Sequence, residues 1–125
     1  MDKLLSGRRI LIVEDEMLLL MTIEDVLADL GCETVISAST VDKAIGLIDR
    51  QVFDAAVLDM NLNGTSSHAV AEALAARGVP FVVATGNRDD MWDGFRDRPV
   101  VRKPFKHDEL VEILMRLLPG RSSDG

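Results

Sequence analysis

Short apolar runs alternate with amphipathic segments along most of the chain. Residues 10–13, 55–58 and 80–84 are runs of the kind that form strands buried on both faces of a sheet. Between them, residues 17–30 and 40–49 carry apolar side chains at the three-to-four-residue spacing of a helix. Strands that alternate with helices in this way are typical of a parallel sheet with crossover helices.

The rest of the pattern completes a five-stranded sheet. Residues 33–38 are a more polar run that suits an edge strand, and residues 100–101 form a short fifth strand. Helices are predicted over residues 66–77 and 107–118. Residues 87–99 lack a sustained apolar period, so we expect a loop or a frayed short helix in place of a fourth helix. The prediction is an α/β, flavodoxin-like doubly wound fold with helices on both faces and strand order 2-1-3-4-5, an order that we assume.

Length and composition narrow the class of protein. The 125 residues fit one domain, which we place at residues 1–120 with a flexible tail at 121–125. The net charge of −7 argues against binding to nucleic acid, which needs clustered lysine and arginine. The apolar stretches are far shorter than the roughly 20 residues that span a bilayer. The apolar stretch near the N-terminus is also too short for a signal peptide. With a single cysteine, the chain is expected to be cytoplasmic and not to bind membranes.

Polar side chains suited to chemistry follow four of the predicted strands. Glu14 and Asp15 follow the first strand, Asp59 the third, Thr85 the fourth and Lys103 the fifth. The carboxyl ends of parallel strands share one edge of the sheet, where ligands of such folds bind. In the assumed order the first and third strands are neighbours, so we expect Asp15 and Asp59 to lie side by side.

These residue types favour a cation and a phosphoryl group. Carboxylates a few ångströms apart repel each other unless a cation shares the site. Mg²⁺ commonly uses one or two carboxylates together with a phosphate oxygen, so Asp15 and Asp59 suit it, with Glu14 acting through water. A carboxylate can also be a nucleophile that forms an aspartyl phosphate. Lys103 and Thr85 would then neutralise and orient the phosphoryl group.

Four motifs together resemble a known family. "ILIVEDE", "AAVLDMNLNG", "VVATGN" and "VVRKPF" are similar to the motifs of response-regulator receiver domains (CheY-like) of two-component signalling, and the resemblance covers residues 8–118. It implies that Asp59 accepts a phosphoryl group from the phosphohistidine of a sensor histidine kinase. Thr85 would donate a hydrogen bond to that group, and Lys103 would pair with it.

The same resemblance implies a metal site and an unusual peptide bond. It assigns Mg²⁺ to four residues: Glu14, Asp15, Asp59 and Asn61, the last through its backbone carbonyl. It also implies a cis peptide bond before Pro104, a geometry found in roughly 5% of such bonds.

Three features depart from the family pattern. Val100 stands where most receivers have an aromatic residue, and Asn63 stands where a proline is common. The segment after Thr85 lacks the pattern of a fourth helix. With these departures the chain resembles a divergent group of single-domain regulators with an "FATG"-like motif, which are often associated with histidine kinases of the HWE class. We expect a downstream protein partner on the face formed by residues 87–118.

Other interpretations stay open. Taken alone, Asp59 could start a turn, and Glu14-Asp15-Glu16 could be a solvated acidic helix start. The chain could also be a phosphate sink or shuttle without an effector, or a degenerate receiver that only binds partners. A haloacid-dehalogenase-like phosphatase also uses an aspartate, a threonine, a lysine and magnesium, but the Asp-x-Asp of its first strand is missing here.

Two pairs of apolar side chains have less certain positions. Met17 and Met21 share a helical face and are expected to belong to the core. Trp92 and Phe95 lie in the poorly patterned segment, and we expect them to pack back onto the sheet rather than form a partner-facing patch.

Overall fold

The computed structural model of the chain describes residues 5–118. The strands and helices of this part of the chain have the following bounds: β1 Arg9–Val13, α1 Met17–Asp29, β2 Thr34–Ala38, α2 Val41–Arg50, β3 Ala55–Asp59, β4 Asn61–Leu62, β5 Thr65–Ser66, α3 His68–Ala76, β6 Phe81–Thr85, β7 Val100–Arg102 and α4 His107–Leu117. A 3₁₀ turn spans Arg88–Asp90. The proposed tail at 121–125 lies outside the described residues.

Five parallel strands form one sheet in the order β2-β1-β3-β6-β7. Because β4 and β5 belong to a separate hairpin, β6 and β7 are the fourth and fifth strands of the prediction, and the assumed order 2-1-3-4-5 is confirmed. Val13 of β1 pairs with Leu58 of β3, and Asp59 pairs with Ala84 of β6. This register brings the residues that follow β1 next to the end of β3.

The sheet separates two apolar layers. Along β1, Leu11 and Val13 pack into a layer that α2 and α3 cover, whereas Ile10 and Ile12 pack into the layer beneath α1 and α4. Successive side chains of a strand point to opposite faces, so a strand covered on both faces must be apolar throughout. For that reason every residue of β3 and β6 is buried. The fold predicted from the alternating pattern is confirmed.

The segment 87–99 forms no α-helix, in agreement with its sequence. After the 3₁₀ turn it is held by aromatic packing. Trp92 stacks on His68 of α3 with ring centroids 5.2 Å apart, and Phe95 contacts Phe81 of β6 at 6.0 Å. Met91 is also buried. The expectation that these aromatic residues pack back onto the sheet is confirmed for Phe95, whereas the Trp92 ring stacks on α3.

A short hairpin follows the third strand of the main sheet. β4 and β5 pair antiparallel around Asn63 and Gly64, which both have positive φ, 53° and 89°. A two-residue hairpin turn of type I′ requires positive φ at both of its central positions, and Asn-Gly is the preferred pair. The sequence therefore carries a hairpin signal at this point, beyond the simple turn after Asp59 that was one of the open interpretations.

The expectation that Met17 and Met21 belong to the core is wrong. They are 67% and 52% exposed, and Leu18 beside them is 77% exposed. The side of α1 that faces the sheet carries Ile23, Val26 and Leu27. At 3.6 residues per turn, Met21 lies nearly opposite Ile23 on the helix surface. Met17, Leu18 and Met21 therefore form an exposed apolar surface, which we call the α1 patch.

The backbone before Pro104 has the expected geometry. The peptide bond between Lys103 and Pro104 is cis. Of the helices in residues 5–118, none has the length and apolar character needed to cross a membrane.

Candidate functional site

Three carboxylates meet at the carboxyl edge of the sheet. Glu14 and Asp15 follow β1, Asp59 ends β3, and one carboxylate oxygen from each lies within 4.8 Å of the others. Glu14 and Asp59 are buried, and Asp15 is exposed. Strand order causes this proximity, because β1 and β3 are hydrogen-bonded neighbours whose ends lie level. The expected position of Asp15 beside Asp59 is thus found in the structure.

Lys103 reaches into the carboxylate cluster from the edge strand β7. Its Nζ lies 3.0 Å from Oδ2 of Asp59 and 3.8 Å from Oε1 of Glu14. The backbone N–H of Lys103 donates to the carbonyl of Thr85 at 2.8 Å, which fixes the base of the side chain against β6. The ammonium group therefore neutralises part of the negative charge of the buried pair.

The buried position of Glu14 opposes ionisation of its carboxyl. Its pKa is raised to about 7, mainly by burial and also by the nearby Asp59 carboxylate, although the backbone N–H of Glu16 and the ammonium of Lys103 act to lower it. The Glu16 N–H donates to Oε2 at 3.0 Å. The other oxygen, Oε1, has no hydrogen-bond partner among the described residues. Lys103 lies too far from this oxygen, at 3.8 Å, to donate a hydrogen bond. A buried oxygen without a hydrogen bond is costly, and a divalent cation would satisfy it.

Asn61 lies on the loop side of the same cluster. Its N–H donates to Oδ1 of Asp59 at 3.3 Å, and its side-chain oxygen accepts from the N–H of Gly64 at 2.7 Å. The hairpin turn thereby holds Asn61 next to Asp59. Asn61 lines an open cavity of about 460 Å³ together with the three carboxylates and Lys103. These oxygen donors fit Mg²⁺, which takes carboxylate and backbone carbonyl ligands alongside water.

Thr85 lies on the other side of Asp59. It ends β6, is 5% exposed, and lines a second cavity of about 290 Å³ with Asp59 and Lys103. Its hydroxyl oxygen accepts from the N–H of Asn87 at 3.3 Å and lies 3.5 Å from the sulfur of Met60. Asp59 and Lys103 border both cavities. The Asp59 carboxylate therefore connects the cavity lined by Glu14 and Asp15 with the cavity lined by Thr85.

One residue near the site was missed by the sequence reasoning. Ser67 is fully buried, and its hydroxyl donates to the carbonyl of Asp59 at 2.5 Å. A serine just before an apolar helical pattern indicates a helix N-cap. That signal predicts a hydroxyl that caps its own helix, and it carries no information about a contact with a residue eight positions earlier.

The chain is similar to one protein family and to several solved structures. The model of the response regulator receiver domain family matches residues 10–115. The solution structure of SdrG from Sphingomonas melonis Fr1 is similar, with a TM-score of 0.78 and 47% identity over 89% of this chain and 96% of that one. No curated protein sequence matches.

Two further solved structures are similar. The receiver domain of sensor histidine kinase PA1611 from Pseudomonas aeruginosa PAO1, which has a magnesium ion coordinated in its active-site cleft, has a TM-score of 0.74 and 29% identity over 90% of this chain and 98% of that one. The response regulator PhyR from Brucella abortus has a TM-score of 0.79 and 29% identity over 94% of this chain and 49% of its own.

Proposed function

This chain belongs to the response regulator receiver domain family, and from that premise we propose that Asp59 accepts a phosphoryl group from the phosphohistidine of a sensor histidine kinase, with Mg²⁺ as cofactor. The observation that carries the proposal is the surroundings of Asp59. Its carboxylate is 5% exposed, has an ammonium group at 3.0 Å, and lies within a cluster of three carboxylates. An isolated turn aspartate would have none of these neighbours.

The chain supplies the groups that the transfer needs. A carboxylate oxygen of Asp59 forms the new P–O bond while the N–P bond of phosphohistidine breaks, and the electron pair of that bond returns to the imidazole. Phosphoryl transfer depends mainly on positioning and charge neutralisation. Lys103 supplies a positive charge, and the Thr85 hydroxyl can donate a hydrogen bond to a phosphoryl oxygen.

The proposed metal ligands are Glu14, Asp15, Asp59 and the backbone carbonyl of Asn61. A bound Mg²⁺ would neutralise negative charge on the carboxylates and on the phosphoryl oxygens. The Oε1 atom of Glu14 supports this assignment, because this buried oxygen lacks a hydrogen-bond donor among the described residues. The magnesium ion in the cleft of the PA1611 receiver domain supports it as well.

The α1 patch supports a kinase as the phosphoryl donor. It begins two residues after Asp15, and its three side chains are more than half exposed. Exposed apolar side chains that lie together are typical of protein contact surfaces. We propose that this chain acts in the cytoplasm and that a sensor histidine kinase of the HWE class contacts this patch while its phosphohistidine reaches Asp59. A downstream partner would then use the face formed by residues 87–118.

Incubation with acetyl phosphate and Mg²⁺, followed by intact-mass measurement, tests the proposal. We expect the wild type to gain the mass of one phosphoryl group and Asp59→Asn to gain none. Asp93→Asn is a matched control, since Asp93 is exposed and pairs with Arg96 away from the site. An adduct that survives Asp59→Asn, or the lack of any adduct on the wild type, would contradict the proposal. Multiple-turnover release of phosphate from many phosphomonoesters would instead favour a phosphatase.

A further inference from the structure

Ser67 uses its side chain differently from an ordinary helix cap. Its carbonyl accepts from the N–H groups of Val70 and Ala71, so it occupies the position that begins α3. A serine at that position usually accepts a hydrogen bond from its own helix through its side chain. The Ser67 side chain makes no such bond. Its hydroxyl is instead directed at the end of the strand that carries the phosphoryl acceptor.

Two consecutive carbonyls at the acceptor depend on Ser67. The hydroxyl oxygen lies 2.5 Å from the carbonyl oxygen of Asp59 and 2.9 Å from that of Met60. A hydroxyl has one proton, so this proton is shared between the two carbonyls. The backbone N–H of Ser67 also donates to the Met60 carbonyl, at 3.0 Å. Buried carbonyls need donors, and Ser67 supplies them from a fully buried position.

The peptide that follows the acceptor is therefore held from two sides. The N–H of Met60 donates to the carbonyl of Ala84 in β6 at 3.0 Å, and the carbonyl at the other end of that peptide group, which belongs to Asp59, receives the Ser67 hydroxyl. The next residue, Asn61, donates its N–H to the Asp59 carboxylate at 3.3 Å. A shift of this peptide would move the carboxylate and the Asn61 carbonyl together.

We propose that Ser67 is a positioning residue for phosphoryl transfer, whose hydroxyl fixes the Asp59–Met60 peptide so that the nucleophile and the Asn61 carbonyl keep their places at the metal site. The inference rests on the proposed function of Asp59. Small displacements of reacting groups are expensive, since about 1 Å can cost on the order of 100-fold in rate. Loss of the hydroxyl leaves two buried carbonyls with one donor between them, and the peptide is then free to shift.

Ser67→Ala tests the proposal against Ser66→Ala as a matched control. Ser66 is exposed and contacts the start of α3 through its hydroxyl, which accepts from the N–H of His68 at 3.2 Å, but it does not touch Asp59. The rate of phosphorylation by acetyl phosphate and the Mg²⁺ dissociation constant are measured well below the unfolding temperature. For Ser67→Ala we expect a rate on the order of tenfold lower and weaker Mg²⁺ binding, by the same positional argument. Ser66→Ala should match the wild type in both.

Two additional variants protect the test against a folding defect. Ser67→Thr retains the hydroxyl and should restore Mg²⁺ affinity and rate toward wild-type values. Ser67→Cys keeps a donor at this position, although the thiol is somewhat larger than the hydroxyl and donates more weakly, and it should give an intermediate rate. If Ser67→Ala does not fold, the comparison of wild type with Ser67→Cys decides, and equal rates and equal affinities for those two proteins would overturn the proposal.

The outcomes separate this inference from the proposed function. If the wild type accepts no phosphoryl group, the proposed function of Asp59 fails. Suppose that the wild type and Ser66→Ala are phosphorylated, and that a folded Ser67→Ala reacts at the same rate with the same Mg²⁺ affinity. In that case only the proposed role of Ser67 is overturned, and the proposed function of Asp59 stands. Equal losses in Ser66→Ala and Ser67→Ala would also overturn it, since a general weakening of the start of α3 would then explain both.

Discussion

Replacement of Glu14 by glutamine should remove a pH-dependent destabilisation of the metal-free protein. Burial raises the pKa of this carboxyl from 4.5 to about 7. Between those two pH values the folded protein retains a proton on Glu14 that the unfolded chain has lost, so the free energy of unfolding falls as the pH rises through this window. Below about pH 4.5 the carboxyl is protonated in both states and contributes no difference.

The size of the change in the free energy of unfolding follows from how far the pKa of Glu14 is raised in the folded protein. One pKa unit corresponds to about 1.4 kcal/mol, so a pKa of about 7 in place of 4.5 corresponds to about 3 kcal/mol above neutral pH. Glutamine has a similar shape and does not titrate. We therefore expect the variant and the wild type to have similar stability near pH 4.5, and the variant to be more stable by about 3 kcal/mol at pH 8.

Urea unfolding in EDTA across this pH range measures the difference between the two proteins. Glu16→Gln is the matched control, because the Glu16 side chain is exposed and only its backbone N–H contacts Glu14. Saturating Mg²⁺ should act in the opposite direction and stabilise the wild type more than Glu14→Gln, since a ligand of the folded state stabilises it according to its affinity. A stability difference that does not change with pH, or a variant less stable than the wild type at pH 8 in EDTA, would refute the reasoning.

Two further predictions concern surfaces outside the acidic site. Leu18→Asp in the α1 patch should slow phosphoryl transfer from a histidine kinase but leave labelling by acetyl phosphate nearly unchanged. The free energy of unfolding should also stay nearly the same, since an exposed substitution usually alters it by less than about 0.5 kcal/mol. Val52→Asp, at an equally exposed apolar position (78%) beyond the end of α2, is the control, and equal transfer to both variants would speak against the patch. Trp92→Ala should lower the free energy of unfolding by about 2 kcal/mol, because a half-buried aromatic ring loses its stack on His68. A loss below about 0.5 kcal/mol in urea unfolding would mean that this stack does not hold the segment.

Much of the fold follows from the sequence because its signals are local. Each apolar run marks a strand, each amphipathic segment marks a helix, and a chain that alternates them has few ways to bury both faces of its strands. The missing fourth helix was also predictable, since residues 87–99 have no apolar period to bury. The hairpin at Asn63 and Gly64 was predictable in principle, because that pair is a strong turn signal.

The composition of the candidate site could be predicted for a related reason. Glu14, Asp15, Asp59, Thr85 and Lys103 all follow apolar runs, and parallel strands bring such positions to one edge of the sheet. The sequence could not supply the distances among them. The 3.0 Å contact between Lys103 and Asp59, and the burial that raises the pKa of Glu14, depend on how far each side chain extends over the neighbouring strand ends.

The sequence by itself therefore determined which elements form and which residues gather at the carboxyl edge. Only the tertiary structure decided which side of α1 faces solvent and where the hydroxyl of Ser67 points. The apolar residues of α1 occupy most of its circumference, so periodicity could not tell Met17 and Leu18 from the buried face. Ser67 could have capped its own helix, and its bond to Asp59 exists because packing of α3 and the hairpin brings it beside a carbonyl eight residues earlier.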